Sequence, residues 1–167
     1  MNTLVLCLGN DLLRDDGVAW AVASALEARL AESRVLSSES PSVSVKRSAL
    51  SGFYLLDELT GWDRAVVVDA VQTGAHPPGT ILSFPFEALG TDAGPSPHAV
   101  GLPTVVRIGR QSGVPLPSSI HIVAVEVDDM VSFCEGLTPA VQAAVPAAVD
   151  AVTTVLAAWP ALAAAPA

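Results

Sequence analysis

The stretch LVLCLGNDLLRDDG, residues 4–17, decides the fold at the start of the chain. Residues 4–8 form a continuous apolar run, which is typical of a strand covered on both faces within a parallel sheet. Gly9-Asn10 is a turn signal, and we expect a helix to begin after the acidic pair Asp15-Asp16. A strand, a turn and a helix in this order predict the opening unit of an α/β fold.

The rest of the chain continues this alternation. The first helix is predicted to have about three turns, because apolar residues recur on one side of it at helical spacing: Val18, Val22, Ala25, Leu26 and Leu30. Further strands are predicted at residues 43–46, 65–71, 80–84 and 120–127, and further helices at residues 52–59, 96–110 and from 138 onward. We therefore predict a single domain over residues 1–167, a three-layer α/β sandwich with a mostly parallel twisted sheet and helices on both faces.

Prolines and capping residues refine the predicted helices. The helix from residue 96 is expected to break at Pro103, and Pro146 is expected to kink the last helix. Thr138 is predicted to be the N-cap of that last helix, because Pro139 suits the first helical position.

Composition excludes several classes of partner. The chain has 8 basic residues against 17 acidic ones, a net charge of −9, which disfavours binding to nucleic acid and to anionic lipid. The N-terminus has no basic region typical of a signal peptide, and polar residues and prolines interrupt the Ala-rich C-terminal stretch. Two cysteines without a CxxC spacing indicate neither a disulfide framework nor a zinc site. We expect a cytoplasmic protein without a nucleic-acid or membrane partner.

Candidate functional residues follow the buried strands, because ligands of open α/β sheets bind outside the carboxyl ends of the strands. Asp69 stands near the end of the strand AVVVDAV, where an apolar residue would be expected. His98 lies in SPHAVGL, beside a predicted helix start. The first strand is followed by Gly9, Asn10, Asp11, Asp15 and Asp16.

Each of these residues allows two interpretations. Asp15 or Asp16 could cap the first helix, Asp69 could accept hydrogen bonds from loop amides, and His98 could be an ordinary exposed histidine. Alternatively, the helix dipole keeps His98 neutral. Two carboxylates and a neutral imidazole then suit a borderline divalent ion.

Other motifs carry less weight. The segment LGNDLLRDDG lacks the glycines of a dinucleotide-binding loop, and the chain has neither a phosphate-binding P-loop nor an HExxH motif. We interpret His76 as a surface residue and His121 as structural. Cys7 lies too deep in its strand to be a nucleophile, and no Ser-His-Asp arrangement stands out.

Four motifs in order resemble the nickel–iron hydrogenase maturation proteases, which trim a C-terminal extension from the hydrogenase large subunit. The family opens with a strand and G-N-x-L-x-x-D-[D/E]-G, has an acid at the end of the central strand and a histidine in S-P-H-x-x-G-L, and ends with a strand before a G-L-T-P helix start. The matching residues are Gly9, Asn10, Leu12, Asp15, Asp16 and Gly17, then Asp69, then Ser96, Pro97, His98, Gly101 and Leu102, then Gly136, Leu137, Thr138 and Pro139.

This resemblance implies that Asp16, Asp69 and His98 form the catalytic and metal-recognition site. It implies that nickel arrives inside the client, the large-subunit precursor, and is not a permanent cofactor. The resemblance assigns no separate nucleophile or general base, and we expect a monomer. Residues that would support the site or face the client are Gly9, Asn10, Asp15, Gly17, Ser96 and Pro97.

The chain departs from the family pattern at two places, a small change at a helix packing position and a larger one that affects the client more than the fold. Ala19 stands where the family often has glycine, and residues 47–52, RSALSG, replace a D-G-G-T-like segment that would line the client-facing cleft. This second change motivates an alternative, a non-catalytic metal-sensing chaperone module on the same fold. A generic nucleotide-binding domain is disfavoured because no phosphate loop is present.

Overall fold

A computed structural model describes residues 1–36, 43–89 and 101–159. Within these ranges the chain forms five strands: β1 (Thr3–Leu8), β2 (Val43–Ser48), β3 (Arg64–Val71), β4 (Ile81–Pro85) and β5 (Ser119–Glu126). The α-helices are α1 (Val18–Leu36), α2 (Tyr54–Leu59), α3 (Leu102–Gln111) and α4 (Pro139–Ala158). Short 3-10 helices lie at Asp15–Gly17 and Phe86–Ala88.

The strands form one sheet in the order β2-β1-β3-β5-β4. All neighbouring strands are parallel except β4, which runs antiparallel to β5 at one edge. The central strands β1 and β3 are buried along their whole length, which explains why their sequences are apolar at consecutive rather than alternate positions. The predicted mostly parallel sheet is confirmed.

Helices cover both faces of the sheet and produce two cores. Helices α1 and α4 pack on one face against residues such as Val5, Val66 and Val123. Helices α2 and α3 pack on the other face against residues such as Leu6 and Val67. The predicted three-layer sandwich is therefore confirmed.

The order of the strands creates a crevice between β1 and β3. After β1 the chain enters α1 on one face of the sheet, whereas after β3 it passes through β4 to α3 on the other face. The two connections diverge at this point, and ligands of open α/β sheets bind at such a divergence. The carboxyl ends of β1 and β3 therefore mark the candidate site.

Several helix boundaries differ from the prediction. Helix α1 has 19 residues, about five turns instead of three, because its alanine content favours helix beyond the amphipathic stretch. Helix α2 begins at Tyr54, and Phe53 is exposed rather than part of its buried side. Pro103 does not break α3 but lies in its first turn, where a proline is tolerated. The predicted start at Ser96-Pro97 lies outside the described residues.

Helix α4 confirms the predicted start, with Thr138 as N-cap and Pro139 in its first turn. Pro146 lies inside the helix on its exposed side. Among the described helices, only α4 is long and apolar enough to cross a membrane by length and composition alone. Its apolar side belongs to the core shared with α1, as in a core helix.

Candidate functional site

Gly9 and Asp16 meet at the end of β1. Asp16 lies in the 3-10 helix Asp15–Gly17, and its side chain is buried, with 2% of the residue exposed. A Cβ atom built on Gly9 would overlap the backbone carbonyl oxygen of Asp16, and Gly9 has φ 154°. Only glycine satisfies both conditions, so Gly9 allows the acidic turn to fold back onto the strand end.

Asp69 lies one strand away from this turn. Its neighbour Val68 pairs with Cys7 of β1, so Asp69 stands beside the last residue of β1. The 3-10 helix that carries Asp16 contacts β3, and Asp69 is also 2% exposed. The structure thus brings Asp16 and Asp69 to the same crevice, from segments more than fifty residues apart.

His98, Ser96 and Pro97 lie in residues 90–100, outside the described part of the chain. Within the described ranges no group of three or more His, Cys, Asp or Glu side chains could hold a metal ion. Asp16 and Asp69 offer carboxylate oxygens, which are suitable ligands for divalent cations. The described part of the crevice therefore supplies two oxygen donors.

Asp15 does not cap the first helix, contrary to the interpretation of this acid as its cap. Its carboxylate accepts hydrogen bonds from the backbone N–H of Thr138 (2.7 Å), the hydroxyl of Thr138 (3.0 Å) and the backbone N–H of Asp129 (3.3 Å). Asp15 is fully buried and begins the 3-10 helix, which separates it from α1. The acid instead joins the loop after β1 to the start of α4.

This contact also changes the role of Thr138. The residue occupies the predicted N-cap position, but its side chain makes no capping hydrogen bond to α4. Its hydroxyl donates to Asp15. The local sequence predicts that Asp15 and Thr138 each cap a different helix. In the structure they instead bind each other across the chain.

The loop after β5 holds the loop after β1 through its backbone. Arg14 N donates to Ser132 O at 3.0 Å, Asp15 N donates to Asp129 O at 2.9 Å, and Cys134 N donates to Leu12 O at 3.2 Å. These bonds surround the 3-10 helix of Asp16. They place its carboxylate on a rigid support, as a preorganised site requires.

Asn10 and Gly17 shape the same loop. The Asn10 side-chain oxygen accepts a hydrogen bond from Leu12 N at 3.0 Å, which makes an Asx-type turn. A Cβ atom on Gly17 would lie 3.1 Å from the Cα of Asp11, tighter than ordinary contact. Both residues build the turn that carries Asp16.

Glu126, at the end of β5, was missed by sequence reasoning. It is buried and accepts hydrogen bonds from Thr73 N (2.7 Å), Thr73 Oγ1 (2.6 Å) and Gly74 N (2.8 Å). It therefore fixes the loop that follows β3 and Asp69. The signal was present, since Glu126, like Asp69, is an acid at the carboxyl end of a buried strand.

The structure also describes the reactive side chains of Cys7, His76 and His121. Burial raises the pKa of the Cys7 thiol to about 12, so it forms no thiolate near neutral pH. His76 is exposed, as predicted. His121 Nε2 lies 2.9 Å from Ser83 Oγ, and partial burial lowers the pKa of this histidine. The Ser83–His121 pair is five residues before Glu126 along β5, roughly 16 Å from the carboxyl edge.

Comparison with known proteins identifies the family. The family model described as "hydrogenase maturation protease" matches residues 21–155, most of the chain. The chain belongs to the hydrogenase maturation protease family. The matched range contains Asp69 and His98, whereas Asp16 precedes it, so the role of Asp16 depends on the geometry of the crevice.

Full-length relatives support this membership. The chain is 30% identical over 159 residues to the hydrogenase 2 maturation protease of Escherichia coli (strain K12), covering 93% of this chain and 91% of that protein. Its fold matches the hydrogenase maturating endopeptidase HybD from E. coli with a TM-score of 0.75 and 26% identity, over 95% of this chain and 93% of HybD. A [NiFe] hydrogenase maturation protease from Thermococcus kodakarensis, 22% identical, shares the fold with a TM-score of 0.67 over 93% and 99% of the two chains. This maturation protease is accordingly a hydrolase, an endopeptidase of hydrogenase maturation.

Proposed function

We propose that this maturation protease removes the C-terminal extension of a nickel–iron hydrogenase large-subunit precursor after nickel has been inserted. The observation that supports this proposal is the pair of buried acids, Asp16 and Asp69, that lie at the same crevice between β1 and β3. They come from different segments and converge at the position where open α/β sheets bind their ligands.

In the proposed complex, nickel is part of the substrate. Asp16 and Asp69 offer oxygen donors and His98 a neutral nitrogen donor to nickel that the precursor already holds through its own ligands. Oxygen and imidazole donors suit a borderline divalent ion. A precursor without nickel lacks these contacts, so we expect the protease to cut only the loaded form.

The proposed reaction is hydrolysis, in which water adds across the scissile peptide bond and the extension leaves with a free amine. A bound divalent ion can polarise a carbonyl or a water molecule as a Lewis acid. The attacking group in the proposed reaction is a water molecule. Cys7 is a protonated thiol, and the Ser83–His121 pair lies away from the crevice. The role of the protease in this reaction is to position the substrate at Asp16 and Asp69.

The test is to incubate the purified protein with nickel-loaded and nickel-free precursor and to follow the mass of the large subunit. We expect loss of the extension from the loaded precursor only. An extension left intact by this protein, but removed by a family protease that serves the same precursor, would refute the proposal. A stable complex without cleavage would support the alternative of a non-catalytic metal-sensing chaperone.

Substitutions of Asp16, Asp69 and His98 test whether these residues form the active site. Asp16→Asn, Asp69→Asn and His98→Ala should each slow cleavage by about 100-fold or more, the usual effect of removing one electrostatic group from an active site. Asp11→Asn is the matched control, since Asp11 is an exposed acid in the loop of Asp16. Unfolding of every variant is measured in parallel. Full activity of Asp16→Asn and Asp69→Asn in folded protein would contradict the site.

A further inference from the structure

Large apolar side chains that are exposed to solvent are concentrated at one edge of the sheet. In the part of the chain that the structure describes, all of them except Met1 follow the carboxyl end of a strand: Leu12 after β1, Leu50, Phe53 and Tyr54 after β2, and Val131 and Phe133 after β5. Because β1, β2, β3 and β5 run parallel, these ends lie at the edge that carries Asp16 and Asp69. Together these six residues form an apolar rim.

The apolar rim has a part on each side of the crevice. Its residues after β1 and β5 belong to loops that lead into α1 and α4, which cover one face of the sheet. Its residues after β2 precede or begin α2, which covers the other face. The rim therefore flanks the carboxyl edge of the sheet from both faces, with the crevice between β1 and β3 at that edge.

Backbone contacts fix the rim although its side chains are exposed. Phe133 is 86% exposed and Val131 is 79% exposed. The backbone of Phe133 forms an isolated β-bridge with Leu13, and Cys134 N donates a hydrogen bond to Leu12 O at 3.2 Å. A fixed backbone lowers the entropy that binding costs, and clustered exposed apolar residues mark sites of protein interaction.

The exposed charged residues in the loops of the rim are all acidic. They are Asp11 after β1, and Asp128 and Glu135 after β5. A protein partner with basic residues around an apolar surface is complementary to this edge, and such complementarity orients two proteins as they associate. A single exposed charge contributes little, so the three acids act through their sum.

We propose that the apolar rim binds the folded body of the large-subunit precursor, an inference that rests on the proposed function. The rim borders the crevice at which the scissile bond would lie, so the precursor is the protein that this edge meets during the reaction. The matching surface of the precursor is apolar and bordered by basic residues. A stable complex buries roughly 800 Å² on each partner, more than three side chains supply, so the precursor contacts both sides of the crevice.

The experiment measures KM and kcat for cleavage of nickel-loaded precursor by wild-type and variant protease. Val131→Ser and Phe133→Ser on one side, and Tyr54→Ser on the other, should each raise KM by about 10-fold and leave kcat unchanged. The reason is that docking contacts are equally strong before and during the reaction. Phe133→Leu keeps an apolar side chain and should recover most of the loss.

Val114→Ser is the matched control for Val131→Ser. Val114 is a half-buried apolar residue between the end of α3 and the start of β5, at the opposite edge of the sheet. The same substitution there should leave KM unchanged. Circular dichroism and urea unfolding of every variant confirm that the proteins compared are folded.

Ionic strength tests the charge of the partner surface. The KM of wild type should rise as salt is added, because salt screens the attraction between exposed charges. A triple variant, Asp11→Asn with Asp128→Asn and Glu135→Gln, should show a weaker dependence on salt. A wild-type KM that salt leaves unchanged would contradict a basic border on the precursor.

The outcomes separate this inference from the proposed function. Unchanged KM values in folded rim variants, or an equal rise in Val114→Ser, would overturn the docking surface while the protease function stands. Wild-type dimers in sedimentation velocity that Phe133→Ser abolishes, with KM unchanged, would assign the rim to a second copy of this chain and also overturn it. If wild-type protein cuts no precursor, the proposed function fails and this inference fails with it.

Discussion

The carboxylate of Asp15 accepts two hydrogen bonds from Thr138, one from its backbone N–H at 2.7 Å and one from its hydroxyl at 3.0 Å. The two residues are 123 positions apart in the chain. Asp15 directly precedes the candidate site acid Asp16, and Thr138 is the N-cap of α4. This contact therefore links the position of the site to the docking of the last helix.

Removal of the Asp15 carboxylate should destabilise the protein. Asp15→Ala leaves the half-buried donors of Thr138 and Asp129 without the carboxylate that accepts their hydrogen bonds. The loss of three hydrogen bonds to a charged group should lower the free energy of unfolding by roughly 3 kcal/mol. Urea unfolding followed by circular dichroism measures the change. Asp11→Ala, an exposed acid in the same loop, should stay within about 0.5 kcal/mol of wild type. Equal stability of the two variants would show that the Thr138 contact contributes nothing.

Gly9→Ala should displace Asp16. The added methyl group would meet the backbone carbonyl of Asp16, so the turn must move, at a cost of about 3 kcal/mol or more in unfolding free energy and with loss of precursor cleavage. Gly113→Ala is the control, because Gly113 also has positive φ (74°) but no neighbour within 4 Å of its Cβ position. It should cost only about 1 kcal/mol, from backbone strain, and leave cleavage unchanged. If the two variants behave alike, contact with Asp16 is not what requires glycine.

Glu126→Gln should loosen the loop after β3. The amide nitrogen of glutamine cannot accept hydrogen bonds, so one or more of the donors on Thr73 and Gly74 loses its acceptor. We expect a loss of about 2 kcal/mol in unfolding free energy and slower cleavage, because this loop continues from the strand of Asp69. Glu135→Gln, on an exposed loop, is the control and should leave both quantities unchanged. Unchanged stability of Glu126→Gln would contradict the proposed role of Glu126 in fixing the loop.

The pair of Arg47 and Glu27 predicts a modest dependence of stability on pH. Hydrogen bonds from the Arg47 guanidinium, at 2.7 and 3.1 Å, hold the pKa of Glu27 below its ordinary value of 4.5. A lowered pKa in the folded state means that the contribution is fully present above pH 4.5 and is lost as the pH falls through the folded-state pKa. Since both side chains are substantially exposed, it is worth about 0.2–1 kcal/mol.

Unfolding free energies between pH 3 and 7 test this contribution. The unfolding free energy of wild type should exceed that of Glu27→Gln near pH 6, and this difference should shrink below pH 4. Glu32→Gln, an exposed glutamate on the same helix, should show no such difference. A difference in unfolding free energy between wild type and Glu27→Gln that grows toward acid pH would contradict this prediction.

Local patterns predicted the elements well because their causes are local. The apolar runs at residues 4–8 and 65–71 belong to β1 and β3, and the sequence Thr138-Pro139 starts α4. A strand that is buried on both faces shows this in its own consecutive apolar residues, and a helix start shows itself in the residues directly around it. The extent of α1 was underestimated, since a stripe of apolar residues marks the part of a helix that packs and not its full length.

The candidate acids were predictable for the same reason, and their partners were not. Asp69 was visible as an acid in an otherwise apolar strand, and Asp16 as an acid after a strand and turn. The partner of Asp15 could not be read locally, because a carboxylate before a helix satisfies the pattern of a cap whether or not a distant donor competes for it. The role of Glu126 follows only from the pairing of β5 with β3, which brings Glu126 beside the end of the strand that carries Asp69.

The sequence by itself thus determined the order of strands and helices and the acids that end or follow the strands, since hydrophobic periodicity and turn residues act over a few positions. Only the tertiary structure decided that Asp15 supports α4 and that Glu126 fixes the loop beyond Asp69. These features depend on strand order and register, which bring residues tens of positions apart within hydrogen-bonding or packing distance.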